Sequence, residues 1–152
     1  MNLPVVLVLL IGTGFAQPIS DTAKNKTVKP VITSYMGPYS GGKALSGDIK
    51  KLMGLNPAVK VKDAKGVEHK VISYEITWKK KEISDDIRTG KPKTVFYMVG
   101  ADVKSNLLPE SWRTEINAGI KAGEEIGISN ILYNDAKQKM NYRAPDIVIA
   151  IL

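Results

Sequence analysis

Val67-Glu68-His69-Lys70-Val71-Ile72-Ser73-Tyr74-Glu75-Ile76-Thr77-Trp78 carries a repeat of two in its second half. Ile72, Tyr74, Ile76 and Trp78 fall on one side, with Ser73, Glu75 and Thr77 on the other, as expected of a strand with one face buried and one wet. Just upstream, Val59 and Val61 alternate with Lys60 and Lys62, and Asp63-Ala64-Lys65-Gly66 supplies a turn. The long strand therefore leaves a hairpin and belongs to an antiparallel sheet. Lys79-Lys80-Lys81-Glu82 ends it in charge, and residues 83–93, with Gly90 and Pro92, read as a polar connection. Thr94-Val95-Phe96-Tyr97-Met98-Val99-Gly100-Ala101-Asp102-Val103 is the most β-prone run of the chain and is expected to be a central strand.

Outward from this centre, residues 31–35 form a short β-like run, and Met36-Gly37-Pro38-Tyr39-Ser40-Gly41-Gly42 is dense enough in Gly and Pro to demand turns. Ser46-Gly47-Asp48-Ile49-Lys50-Lys51-Leu52-Met53-Gly54 has the parts of a short helix. Ser46 is placed to cap it, Ile49, Leu52 and Met53 share a face, and Gly54 suits the residue after its end. Asn56-Pro57 then bars continuation. A second helix is predicted over 109–117, with Pro109 near its first position and Leu108, Trp112 and Ile116 on one side. Alternation returns from Glu124 to Tyr133 through Ile126 and Ile128, Asn134-Asp135-Ala136-Lys137 makes a hairpin turn, and Asp146-Ile147-Val148-Ile149-Ala150-Ile151-Leu152 is apolar enough to require burial as a strand. The expected class is a β-rich α+β fold, an antiparallel sandwich-like domain of about six or seven strands with one or two short helices. It occupies residues 30–152 as one domain, with no internal repeat and no interior linker.

Residues 1–16, MNLPVVLVLLIGTGFA, have a short apolar core from Val5 to Ile11 and then small residues, with Gly14 and Ala16 placed for a cut after Ala16. This is the layout of a secretory signal peptide. A membrane-crossing helix needs about 20 apolar residues, more than this run supplies before Gly12, Thr13 and Gly14 weaken it; an uncleaved anchor is the competing reading. Residues 17–29 are polar and read as a leader outside the core. The expected location is the periplasm or the exterior.

Composition removes much chemistry. The chain has no Cys and one His, which excludes a thiol nucleophile, cysteine-ligated zinc, haem of the CxxCH type and a two-His metal site. With 43% apolar residues it can build a core, and without disulfides packing alone must hold it. The net charge of +7 suits an anionic partner in the envelope, either an acidic protein face or an anionic polymer, and a solvated lysine-rich surface explains it equally. Nucleic acid is not expected in that compartment.

No constellation points to a reaction. His69 lies between Glu68 and Lys70 on what reads as an exposed strand position, and nothing identifies a Ser and a carboxylate to join it in a triad. Glu124-Glu125 and Asp85-Asp86 are adjacent pairs whose side chains point apart, so they read as solvated loop charge. Gly41-Gly42-Lys43-Ala44-Leu45-Ser46-Gly47 departs from the phosphate-loop pattern, because its Lys precedes the second glycine group. Lys79, Lys80 and Lys81 with Lys91 and Lys93 would form one basic patch if the two segments were neighbours, although lysines at strand ends also serve to keep edges soluble.

Two stretches, Gly37-Pro38-Tyr39-Ser40-Gly41-Gly42-Lys43-Ala44-Leu45-Ser46-Gly47 and Lys121-Ala122-Gly123-Glu124-Glu125-Ile126-Gly127-Ile128-Ser129-Asn130-Ile131, resemble the C-terminal periplasmic region of the GldM (PorM) family of gliding-motility proteins. The first resembles the family's small-residue segment leading into a short basic helix, the second its charged turn feeding a strand. The resemblance implies a β-rich periplasmic interaction domain with no catalytic residues. It further implies outer-membrane-side partners in the gliding and type IX secretion machinery of Bacteroidetes. The chain departs from the full-length pattern, with a signal-peptide-like segment where the family has a membrane helix and without the long helical segment that follows it. It therefore reads as a detached domain.

The function expected from these readings is a non-enzymatic, exported protein-interaction domain without metal or cofactor. It would bind an envelope protein through exposed strand edges and the loops around Tyr39 and the lysines at 79, 80, 81, 91 and 93. The alternative is a secreted binding or inhibitory module for an anionic glycan or envelope polymer, with Trp78, Trp112 and tyrosines as stacking platforms. Both tryptophans also sit on the apolar face of their elements, where core packing claims them.

Overall fold

A computed structural model describes residues 31–152. The signal peptide read over 1–16 and the leader read over 17–29 lie outside the described residues. The chain runs through β1 (Ile32–Met36), β2 (Gly42–Ala44), α1 (Ser46–Gly54), β3 (Val59–Asp63), β4 (Glu68–Asp85), β5 (Pro92–Val103), α2 (Glu110–Gly119), β6 (Glu125–Asp135), β7 (Met140–Arg143) and β8 (Ile147–Ile151). The strands join in one sheet in the order β1-β3-β4-β6-β8-β2, with β5 added to β4 and β7 to β6. This is the β-rich α+β class that the alternation predicts, with eight strands and a single parallel pair, β2 on β8, among the described residues. β1 also touches β8, so the sheet curls around its core.

β4 is the hub because its 18 residues outlast every neighbour. It pairs with β3 at Glu68 and His69, with β6 from Lys70 to Lys79, and with β5 from Tyr74 to Asp85. Tyr74, Ile76 and Trp78 are buried in one core with Ile126 and Ile128 of β6, which pair in turn with Ile149 and Ile147 of β8. Ile49, Leu52 and Met53 of α1 and Ile116 of α2 are buried in the same core. Each such side chain contributes about 1.5–3 kcal/mol by leaving water. Ile147, Ile149 and Ile151 are buried as their alternation requires, and β8 lies between β6 and β2.

Four local expectations are corrected. Ile72 is only half-buried and Val71 takes the core position, because the β4–β6 register shifts between Val71 and Ser73 and again before Glu75. Such a bulge inserts an extra residue and changes which parity faces inward. Residues 83–93 are not a polar connection, since β4 runs to Asp85 and β5 starts at Pro92, leaving a turn only over 86–91. That turn is held by Asp86, whose Oδ1 accepts the N–H of Arg88 at 2.8 Å and of Thr89 at 3.1 Å. β5 is an edge strand and not a central one: among the described residues it pairs with β4 alone, the opposite side of β4 being taken by β6. Its β propensity reports a pleated environment, which an edge also offers. Finally, Leu45 and not Ser46 precedes the first helix, without a side-chain cap, and Pro109 takes the corresponding place before α2. Gly54 is still helical, while Asn56 adopts the left-handed conformation beyond it (φ 52°).

Candidate functional site

The last β4–β6 pair is Lys79 with Glu125, yet β4 and β5 stay paired to Asp85 and Pro92. Residues 80–85 and 92–97 therefore project from the sheet as a two-stranded arm. The ladder sets its faces. Lys79, Lys81 and Ile83 of β4 lie with Phe96 and Met98 of β5 on one face; Lys80 and Glu82 lie with Val95 and Tyr97 on the other. Ile83, Phe96 and Met98 are exposed, at 76%, 50% and 63% of their surfaces, and Ile87 at the tip is fully so. The Lys79 ammonium stands 5.2 Å from the Phe96 ring centre, a weak attraction at an exposed site.

At the root of the arm a cleft of about 300 Å³ opens between the strands, the end of α2 and the chain leading into β6. Its wall contains Glu124, which corrects the reading of Glu124-Glu125 as solvated charge: Glu124 is 4% exposed. Its Oε2 accepts the Trp78 Nε1–H and the Lys121 N–H, and its Oε1 accepts the Lys81 N–H, each at 3.0 Å. Three donors converge on one carboxylate, which is how a buried charge avoids the cost of leaving water. Glu124 so ties α2's exit, β6's entry and the root of the arm together.

Lys80 crosses the same cleft. Its Nζ donates to Glu115 Oε1 at 2.7 Å and sits 4.1 Å from the Trp78 ring centre. The hydrogen bond to Glu115 raises the Lys80 pKa above its ordinary value, against the opposing effect of desolvation. Tyr97 is also raised, first by desolvation and then by the bond its hydroxyl donates to Glu82 Oε1 at 3.0 Å.

The lysines singled out in the sequence do fall on one hairpin but do not make one patch. Alternation sends Lys80 inward to Glu115 while Lys79 and Lys81 stay on the opposite face. Lys91 is in the exposed turn, and Lys93 stands opposite Ser84, further out along the arm. Tyr39 lies elsewhere, half-buried against the core in the turn where Met36 and Tyr39 exchange backbone hydrogen bonds. Asp85 and Asp86 close the arm. Trp78 is 1% exposed, which removes it as a stacking platform, and Trp112 is partly buried against the core.

His69 is not on an exposed position. Its side chain is 12% exposed, its ring centre lies 5.2 Å from that of Tyr133, and Nε2 stands 3.8 Å from Asp63 Oδ2. No Ser–His–carboxylate arrangement surrounds it among the hydrogen bonds of the described residues. Among the described residues no three His, Asp or Glu side chains gather to hold a metal ion, and no helix is long and apolar enough to cross a membrane.

Two features escaped the sequence reading. Glu124 carries no local sign of burial, since its partners Trp78 and Lys81 are more than forty residues away. The exposed Phe96 and Met98 did leave a trace: the run from Val95 to Val99 is apolar on both parities, the pattern of a strand covered on both faces or of an edge with an unoccupied one. No family model, no curated protein and no solved structure matches this chain.

Proposed function

We propose that this chain is a non-enzymatic, exported protein-interaction domain in which the β4–β5 arm receives an extended segment of a partner along β5. The observation that supports this reading is the outer edge of β5, 12 residues without a strand partner among the described residues, beside exposed Phe96 and Met98. An open edge offers main-chain hydrogen bonds to any passing strand, and folds that do not use such an edge blunt it with charge, proline or covering structure. Here Pro92 and Lys93 guard only the outer end, and residues 94–100 carry no charge. Strand addition takes affinity from the ladder and specificity from the alternate side chains. Phe96 and Met98 would supply the apolar part, about 1.5–3 kcal/mol each if fully covered.

Export rests on the sequence of residues 1–16. The GldM (PorM) resemblance makes the partner an outer-membrane-side component of the gliding or type IX secretion machinery. That resemblance rests on the two stretches at 37–47 and 121–131. The test is capture from envelope extract on the tagged chain, with Phe96→Lys/Met98→Lys as the edge variant. The expected result is a stoichiometric envelope protein held by the parent and lost by the variant, whose urea midpoint stays unchanged. Equal capture by both, or capture of nothing, refutes the arm as the contact.

A further inference from the structure

A second opening lies at the far end of β4 from the arm. β3 leaves β4 after the Val61–His69 pair, and β5 takes up the same edge only at Val103–Tyr74. Among the described residues, 70–73 therefore have no ladder partner on that edge. β3 and the chain that follows β5 meet outside the gap, where the Val59 N–H donates to Asn106 O at 2.7 Å. The result is a groove of about 600 Å³ with Val71 and Ile72 at its base.

Donors dominate its walls. Lys70 and Lys104 are exposed, and neither is in an ion pair among the described residues. Neighbouring Glu68 is already held by Lys60 at 3.3 Å. Ser105 Oγ accepts the Leu107 N–H at 3.0 Å, which leaves its O–H to be donated. Asn106 adds an amide, and among the described residues no Asp or Glu lines the groove. The Asn134 amide nitrogen is spent on Asn141 Oδ1 at 3.0 Å, so its carbonyl oxygen is the free acceptor.

We propose that this groove binds an anionic saccharide unit, a sugar bearing a carboxylate or a phosphate. Two ammonium groups without counter-charge call for an anion, and the hydroxyl and amide groups beside them suit sugar hydroxyls. The volume is within the range of small-molecule sites. Among the described residues no aromatic ring lines the groove, so a neutral sugar finds no stacking surface and charge must carry the affinity. A peptide strand is disfavoured, because the open edge is four residues long and lies in the bulge that shifts the β4 register at Val71 and Ser73. A discrete anionic ligand needs no regular ladder.

The test is titration of the full chain with oligogalacturonate, read by amide chemical shifts and calorimetry. Neutral maltooligosaccharide, inorganic phosphate and oligoglutamate are the comparison probes. Shifts at Val71, Ser105 and Asn106 with oligogalacturonate are expected, and the neutral sugar should give none. Lys70→Glu/Lys104→Glu should weaken binding by about tenfold or more, whereas Lys79→Glu/Lys81→Glu, the same charge change on the arm, should leave it within about twofold. Equal loss in both variants would reduce the effect to overall charge and overturn the site. Oligoglutamate or phosphate binding as tightly as the sugar would overturn the saccharide class. The groove does not rest on the arm as a docking edge, and Phe96→Lys/Met98→Lys should leave sugar binding intact.

Discussion

Replacing Glu124 tests the polar anchor at the root of the arm. Its carboxylate takes three N–H donors at 3.0 Å, two on Oε2 and one on Oε1, at a residue 4% exposed. Glu124→Ala removes all three acceptors, and each orphaned buried donor costs about 1–3 kcal/mol. The adjoining cleft is open to solvent, so water recovers part of that loss. The expected destabilisation is about 3 kcal/mol, a large share of the 5–15 kcal/mol typical of a whole domain. Glu124→Gln keeps an oxygen for Trp78 and Lys121 but turns an amide N–H₂ against the Lys81 N–H, and should cost about 1–2 kcal/mol. Urea unfolding followed by the fluorescence of buried Trp78 and by far-ultraviolet dichroism measures both. The reasoning fails if Glu124→Ala lies within about 0.5 kcal/mol of the parent, or if the Gln variant is as damaging as the Ala one, which would assign the effect to charge and not to acceptor geometry.

Four smaller outcomes follow from other parts of the sheet. A Cβ at Gly127 would stand 2.5 Å from Thr77 Oγ1, so Gly127→Ala should lose about 1–3 kcal/mol in urea, and adding Thr77→Ala should return most of it in a double-mutant cycle. Ile128 is fully buried, and Ile128→Ala should cost about 2–5 kcal/mol by the same assay. Asp63 is held below its ordinary value of 3.8, first by the Val67 N–H on Oδ1 at 2.9 Å. Its contribution is therefore complete above that value and vanishes as pH falls through the lower folded one. Asp63→Asn should flatten the acid limb of stability as pH falls below the ordinary carboxylate value, and a limb of unchanged slope contradicts the assignment. The Lys80–Glu115 pair is exposed on its Glu115 side, so Glu115→Ala should change stability by less than about 1 kcal/mol, with the difference fading in high salt.

What the chain announces about itself depends on how local the signal is. Val59 and Val61, Ile126 and Ile128, and the Ile147–Ile149–Ile151 series declare their inward face because parity is a property of neighbouring residues. Asn56-Pro57 and the glycines at 37, 41 and 42 announce turns for the same reason, and Gly37, Gly41 and Gly42 take positive φ. Pairing is decided between residues far apart, and there the reading falls short. Nothing within residues 94–103 tells whether β4 lends them one neighbour or a second strand covers them too. β2 is three residues long and exists because β8 lies beside it. The inward turn of Lys80 and the burial of Glu124 depend on α2 arriving at the same place. At Val71 to Ser73 even parity misleads, because a bulge changes it without leaving a glycine as a mark.

The arm also has a consequence for cooperativity. Residues 75–79 of β4 are laddered on both edges, but among the described residues 80–85 have β5 as their one ladder partner, with Lys80 and Lys81 also tied to the domain through Glu115 and Glu124, and an isolated two-stranded ribbon is only marginally stable in water. Amide hydrogen exchange should therefore rise in steps along a single strand, slow at Ile76 and fast beyond Glu82, with the break after Lys81, whose N–H Glu124 holds. A guest strand on β5 would convert the ribbon into a three-stranded sheet, and the entropy of stilling it would be subtracted from the affinity. Substitutions that stiffen the turn at 86–91 should tighten such a complex without touching the guest, by lowering a cost borne wholly by the free protein.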